Sequence, residues 1–193
     1  MNYLAHLHLG GEQPAQLLGS LYGDFVKGPL KGQWPAPVEA AIQLHRRIDA
    51  FTDAHPIQAQ ARARFAAQRR RTSGLLLDVF FDHCLARDWA LYAERPLADF
   101  TAQVYRTLAQ QTHLPGHLGL IVPRMAQQDW LGSYRDFAVL EQVIAGLQRR
   151  LSRPQLLDGA LEELAQLYEP LSEDFAVFYP ELMAFAIQER TGR

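Results

Sequence analysis

Residues 75 to 85, Leu-Leu-Leu-Asp-Val-Phe-Phe-Asp-His-Cys-Leu, are apolar except at Asp78, Asp82 and His83. The stretch reads as one helix that is hydrophobic nearly all round, and such a helix is buried. Asp78 and Asp82 are four residues apart and share a face, with His83 about 100° further round. An unpaired buried carboxylate costs several kcal/mol, so these groups need a cation, a proton or a donor inside the fold. Two carboxylates and an imidazole in one buried turn suit a hard or borderline divalent metal. A buried network with Arg or Tyr would satisfy them too.

Two further segments repeat the pattern. In Val38-Glu-Ala-Ala-Ile-Gln-Leu-His45-Arg-Arg-Ile-Asp49, the apolar stripe runs through Val38, Ala41, Ile42 and Ile48. His45 and Asp49 fall on that stripe one turn apart, where they can reach one ion or hydrogen-bond each other. Asp24 follows Leu17 and Leu21 by seven and three residues, again on an apolar face. Three segments thus turn ionisable groups inward, and a shared polar site explains them better than independent structural pairs.

The chain has 193 residues, 48% of them hydrophobic, enough for one substantial core. A formal net charge of -2 argues against nucleic-acid binding by bulk electrostatics. Lys27 and Lys31 are the only lysines, and the lone Cys84 excludes an intrachain disulfide framework. The N-terminal segment lacks a basic n-region and no transmembrane run appears, so a cytoplasmic protein is expected. Helices are predicted near residues 13–27, 37–53, 57–71, 73–93, 97–112, 117–128, 137–150, 155–169 and 171–188, with sparse β-branched residues and no strand pattern. Stretch 28–36 is the longest irregular loop and directly follows Asp24, as substrate access or as a connector. Asp53 and His55 read as turn or capping residues before the third of these helices.

Four segments, taken together, resemble the acyl-carrier-protein phosphodiesterase family. They are Met1-Asn-Tyr-Leu-Ala-His6-Leu-His8-Leu9, Gly23-Asp24-Phe25, His45-Arg-Arg-Ile-Asp49 and Asp78-x-x-x-Asp82-His83. The likeness covers essentially the whole chain. It implies an all-α, single-domain helical bundle over residues 1–193, a non-standard member of the HD-type metal phosphohydrolases. It also implies a manganese-dependent hydrolase that releases 4′-phosphopantetheine from a serine of holo-acyl carrier protein. The superfamily pattern is a His, a His-Asp dyad and a distant Asp. Here the dyad reads Asp82-His83, in reversed order, and the candidate lone acid, Asp24, precedes it.

A divalent ion suits phosphodiester hydrolysis because it withdraws charge from a phosphoryl oxygen and lowers the pKa of a bound water. Carboxylates with imidazole suit manganese or magnesium. His45, Asp82 and His83 are the first-choice ligands, followed by Asp24 and Asp78, one of which instead orients the attacking water. Asp49 is expected to hold the His45 ring, and Arg46 is a candidate phosphate clamp. His6 joins the site by resemblance, against a hydrogen-bonded core histidine. Residues 57–77 contain Arg62, Arg64, Arg69, Arg70 and Arg71 and no acid. They are read as a docking stripe for an acidic carrier protein, against a merely solvated face. A nucleotide-specific relative and a non-enzymatic helical adaptor are the alternatives.

Overall fold

A computed structural model describes residues 1–192, and these form helices and no strand. The expected all-α class is therefore observed. In chain order the α-helices are α1 (Tyr3–Gly10), α2 (Pro14–Phe25), α3 (Ala36–Ala54), α4 (Pro56–Arg64) and α5 (Ser73–Arg87). They continue with α6 (Leu97–Ala109), α7 (Leu118–Gln127), α8 (Trp130–Ser133), α9 (Val139–Gln148), α10 (Ala160–Gln166) and α11 (Tyr168–Thr191). No helix among the described residues is long and apolar enough to cross a membrane.

At the centre lies α1, a helix that the sequence pattern did not predict. Leu4, Ala5, His6, Leu7, Leu9 and Gly10 are all buried, so its eight residues show no amphipathic period. Nor does it carry its own cap: the Asp82 carboxylate, from α5, accepts the backbone N–H groups of Leu4 at 2.8 Å and Ala5 at 3.0 Å. Those are two of the donors that every helix start leaves without an intrahelical partner. A tertiary contact supplies the cap.

Helix α2 begins on a local signal. Pro14 opens it, and Gln13 and Gln16 form a reciprocal capping box. It then lies unusually close to α3, because Gly19 and Gly23 are one turn apart on the facing side. A Cβ on Gly19 would come within 2.4 Å of the Ala41 Cβ and 2.5 Å of the Val38 carbonyl oxygen. Helix α5 is the expected buried helix, with Leu76, Leu77, Val79, Phe80 and Phe81 in the core. It ends at Arg87 rather than continuing to 93, and a short 3-10 turn, Trp89–Leu91, follows.

The helix expected over 57–71 also ends early, at Arg64. Ala66 N–H leaves the helical ladder to donate to Glu163 at 2.7 Å, and a 3-10 turn spans Ala67–Arg69. Arg69 is buried: its Nε donates to Glu163 at 2.7 Å and its two terminal nitrogens to the carbonyls of Leu156 and Asp158, each at 2.6 Å. Arg64 clasps buried Asp174 of α11 with two bonds, at 2.7 and 2.9 Å. Arg62 pairs with Asp53 at 2.7 Å, so Asp53 is not a cap, whereas His55 does cap α4 by accepting the Ile57 N–H at 3.3 Å. The proposed arginine docking stripe is thus corrected. Arg64 and Arg69 tie α4 and its following turn to the C-terminal third, and only Arg70 and Arg71 of the five are exposed without a carboxylate partner among the described residues. The acids that bind these arginines lie about a hundred residues away, beyond reach of local pattern reading.

Candidate metal centre

Three helices bring His6, His45, Asp49 and Asp24 to one place. The imidazoles of His6 on α1 and His45 on α3 stack, with ring centroids 3.6 Å apart and planes 16° from parallel. His6 Nε2 lies 3.0 Å from Asp49 Oδ1, and His45 Nε2 lies 3.3 Å from Asp49 Oδ2. Asp24, at the end of α2, places Oδ1 3.9 Å from the same His45 nitrogen. One ligand atom from each of His6, His45 and Asp49 falls within 4.8 Å of the others.

The ring of His45 fits only because residue 23 is glycine: a Cβ there would sit 2.2 Å from His45 Cγ. Its Nδ1–H donates to the Ser20 carbonyl at 2.8 Å, which leaves the Nε2 lone pair directed at Asp49 and Asp24. His6 is buried, and neither of its ring nitrogens meets a partner in hydrogen-bond geometry, Asp49 included. Burial pushes the His6 imidazole down to about 3, so at neutral pH it is uncharged. Burial raises the Asp49 carboxyl, but His45 and His6 more than reverse that and hold it well below the usual carboxylate range. The Asp24 carboxyl is raised by burial, against the opposing pull of His45.

With its Nδ1–H given to Ser20, a neutral His45 turns a lone pair towards the Asp49 carboxylate across 3.3 Å, a contact that a cation or a proton between them would satisfy. Two donors each about 2.1 Å from one octahedral ion, at right angles, would themselves be about 3.0 Å apart. Imidazole nitrogen with carboxylate oxygen is a donor set suited to a borderline divalent metal. The residues present fit such an ion. Asp24 and Asp49 keep 40% and 44% of their side-chain surface exposed, so the cluster opens to solvent on one side. There it meets a cavity of about 360 Å³ lined by Asp24, Lys27, His45, Arg46 and Asp49.

The sequence-based candidates divide sharply. His45 and Asp24 are in the cluster. Asp49 is there as a direct participant between two imidazoles, rather than only as a brace for His45. Asp78 lies beside it, with Oδ1 3.0 Å from the Met1 nitrogen, which in turn is 3.7 Å from Asp49. Arg46 lines the cavity. Asp82 is fully buried and spent on capping α1, and burial pushes its carboxyl up to about 7 against those two backbone bonds. His83 faces elsewhere, its Nδ1 on the Tyr134 carbonyl at 2.7 Å and its Nε2 on the Tyr168 hydroxyl at 2.9 Å, among Phe80 and Phe137. The expected convergence of Asp82 and His83 with Asp24 and His45 is thus corrected. Neighbours in sequence on a helix point about 100° apart, and each of these two found its own internal partners.

A lone histidine among leucines looks like a core residue, and only the tertiary fold reveals that the nitrogens of His6 lack hydrogen-bond partners. His8, two residues on, is half-buried and fully partnered. Its nitrogens meet the Tyr179 hydroxyl at 2.7 Å and the Tyr92 carbonyl at 3.1 Å.

The family model described as acyl carrier protein phosphodiesterase matches residues 1–182. The chain belongs to the acyl carrier protein phosphodiesterase family. Among curated family members, the Serratia proteamaculans acyl carrier protein phosphodiesterase is 38% identical over 191 residues, covering 95% of this chain and 96% of the relative. The protein of the same name from Yersinia pestis is 36% identical over 185 residues, covering 95% and 96%. That from Escherichia coli is 36% identical over 190 residues, covering 96% and 97%. No solved structure matches the chain. In this chain the cluster draws on the N-terminal, Gly23-Asp24 and His45-to-Asp49 segments, while Asp82 and His83 are hydrogen-bonded to other partners.

Proposed function

We propose that this protein is a metal-dependent phosphodiesterase that hydrolyses 4′-phosphopantetheine from holo-acyl carrier protein to give the apo-protein. The observation that carries the reading is the cluster of possible ligand atoms on His6, His45 and Asp49, all within 4.8 Å of one another, found in a chain whose curated relatives are named for this activity. His6, His45, Asp49 and Asp24 would hold manganese, with magnesium as the other candidate. When bound, the metal supplies charge withdrawal from a phosphoryl oxygen and acidifies water.

The chain's own residues divide the remaining work. Ser20 holds the His45 tautomer, and Gly23 leaves room for its ring. Asp24, half-exposed at the solvent side of the cluster, suits either a contact to the metal or the positioning of an attacking water. Asp78 anchors the segment preceding α1, and so the position of His6. A nucleotide substrate finds less support, because no aromatic side chain lines the cavity beside the cluster. A carrier-protein substrate also implies action in the cytoplasm.

The test is release of 4′-phosphopantetheine from holo-carrier protein, alongside metal analysis. Chelation should abolish turnover, and manganese should restore it better than zinc. Full turnover after exhaustive chelation would overturn the metal. Inactivity of manganese-loaded protein on holo-carrier protein would overturn the substrate.

A further inference from the structure

The cavity beside the cluster is lined by side chains of both signs of charge. Its lining includes the acids Asp24 and Asp49 with His45, and also the cations Lys27 and Arg46. Asp24 and Asp49 share this cavity with both cations, yet neither cation makes an ion pair with a carboxylate among the described residues. The acids turn instead to the histidines. Arg46 is oriented without being neutralised: its Nη2 donates to the Val26 carbonyl at 2.9 Å, which uses one donor and leaves the rest of the fork free. Lys27, the next residue after Val26, is exposed and close enough to lower the Asp24 carboxyl's affinity for protons.

Arg47, next to Arg46 on α3, shows the contrast. It turns away and pairs with Glu189 of α11. Arg62, Arg64 and Arg69 are likewise consumed by acids. Lys27 and Arg46 are cations without a carboxylate partner beside the candidate ligand cluster.

We propose that Lys27 and Arg46 form an anion clamp that grips the non-bridging oxygens of the phosphoryl group being cleaved. The inference rests on the phosphodiester reading and deepens it by naming the groups that recognise the phosphate. The chemistry is complementary. A phosphodiester carries its charge on two oxygens, and an arginine fork contacts such oxygens in a fixed plane while a lysine adds a mobile point charge. The acids alone would repel an anionic substrate. Two cations in the same lining offset that repulsion and hold the phosphorus beside the ligand cluster.

The test is equilibrium binding to the full chain, with and without manganese, using inorganic phosphate, 4′-phosphopantetheine and pantetheine as probes. Lys27→Gln and Arg46→Gln should each weaken binding of the two phosphorylated probes by about tenfold, the scale of one charge-assisted hydrogen bond. Pantetheine binding and manganese affinity should stay at wild-type values. Turnover should show a raised KM at equal metal occupancy. The clamp is overturned if wild-type protein binds phosphate in neither condition, or if both variants bind it as wild type does. It is also overturned if manganese affinity falls in parallel with phosphate affinity, since the residues would then act on the metal site. Lys27-dependent phosphate binding by a protein that does not cleave holo-carrier protein would leave the clamp standing and remove the substrate reading.

Discussion

Helices α3 and α5 each carry a histidine and an acid within an apolar stretch, and each buries its histidine. On α5, Asp82 accepts two backbone N–H groups of α1, and His83 has a carbonyl on one nitrogen and a hydroxyl on the other. On α3, His45 has one nitrogen satisfied by Ser20, while its second faces carboxylates that are themselves acceptors. His6, donated by α1, has neither nitrogen satisfied. The difference teaches that burial of an ionisable group is no marker of function by itself. A group whose every polar atom has an internal partner is scaffold, and a group left facing like groups is arranged for something that arrives from outside.

The largest effect should separate the two helices by activity. His6→Ala and His45→Ala should each lower turnover by orders of magnitude with helical content retained by circular dichroism. His83→Gln should leave turnover per folded molecule near that of the wild type. An active His6→Ala protein at limiting metal would break the comparison on the α3 side.

Stability should show the reverse order. Asp82→Ala removes the cap from α1 and leaves two buried N–H groups unpaired, at about 1–3 kcal/mol each, measurable by urea unfolding. Asp82→Asn keeps one acceptor oxygen and should cost less. A change within about 0.5 kcal/mol for Asp82→Ala would show that the cap contributes nothing and that Asp82 is free for another task.

Gly23→Ala sharpens the α3 side without touching a ligand. The added Cβ meets the His45 ring, so the ring must shift and manganese affinity should fall by about 10–100-fold. Titration followed by the signal of free manganese reads this directly. An unchanged affinity would mean that the His45 position is not what holds the ion.

The smallest effect concerns acid. Burial holds His83 below its ordinary value of 6.5. As pH falls through 6.5, the unfolded chain takes up this proton before the folded one does. The stabilisation from neutral His83 is therefore complete above 6.5 and is lost as pH drops from there towards the folded value. The slope cannot exceed about 1.4 kcal/mol per pH unit for one proton. His83→Gln should remove that component from a plot of unfolding free energy between pH 7 and 5. An identical slope in the variant would show that His83 does not titrate with folding.

Local periodicity accounts for much of what was legible. The all-helical class, the burial of α5 and the inward faces of Asp24, His45 and Asp49 follow from a 3.6-residue repeat that any short window displays. The arginines of residues 57–77 look alike in such a window. Their fates diverged because Asp174 and Glu163 return from the far end of the chain to claim Arg64 and Arg69.

The sequence by itself determined which side chains face inward and therefore which groups had to find partners. Only the tertiary structure decided which found them. Helix α1 exists as a buried, capped element because α5 lends it a carboxylate, and its arrival brings His6 onto the His45 ring. The physical reason is range. Helix periodicity is set by hydrogen bonds four residues long, whereas the satisfaction of a buried polar atom depends on whichever element packs against it.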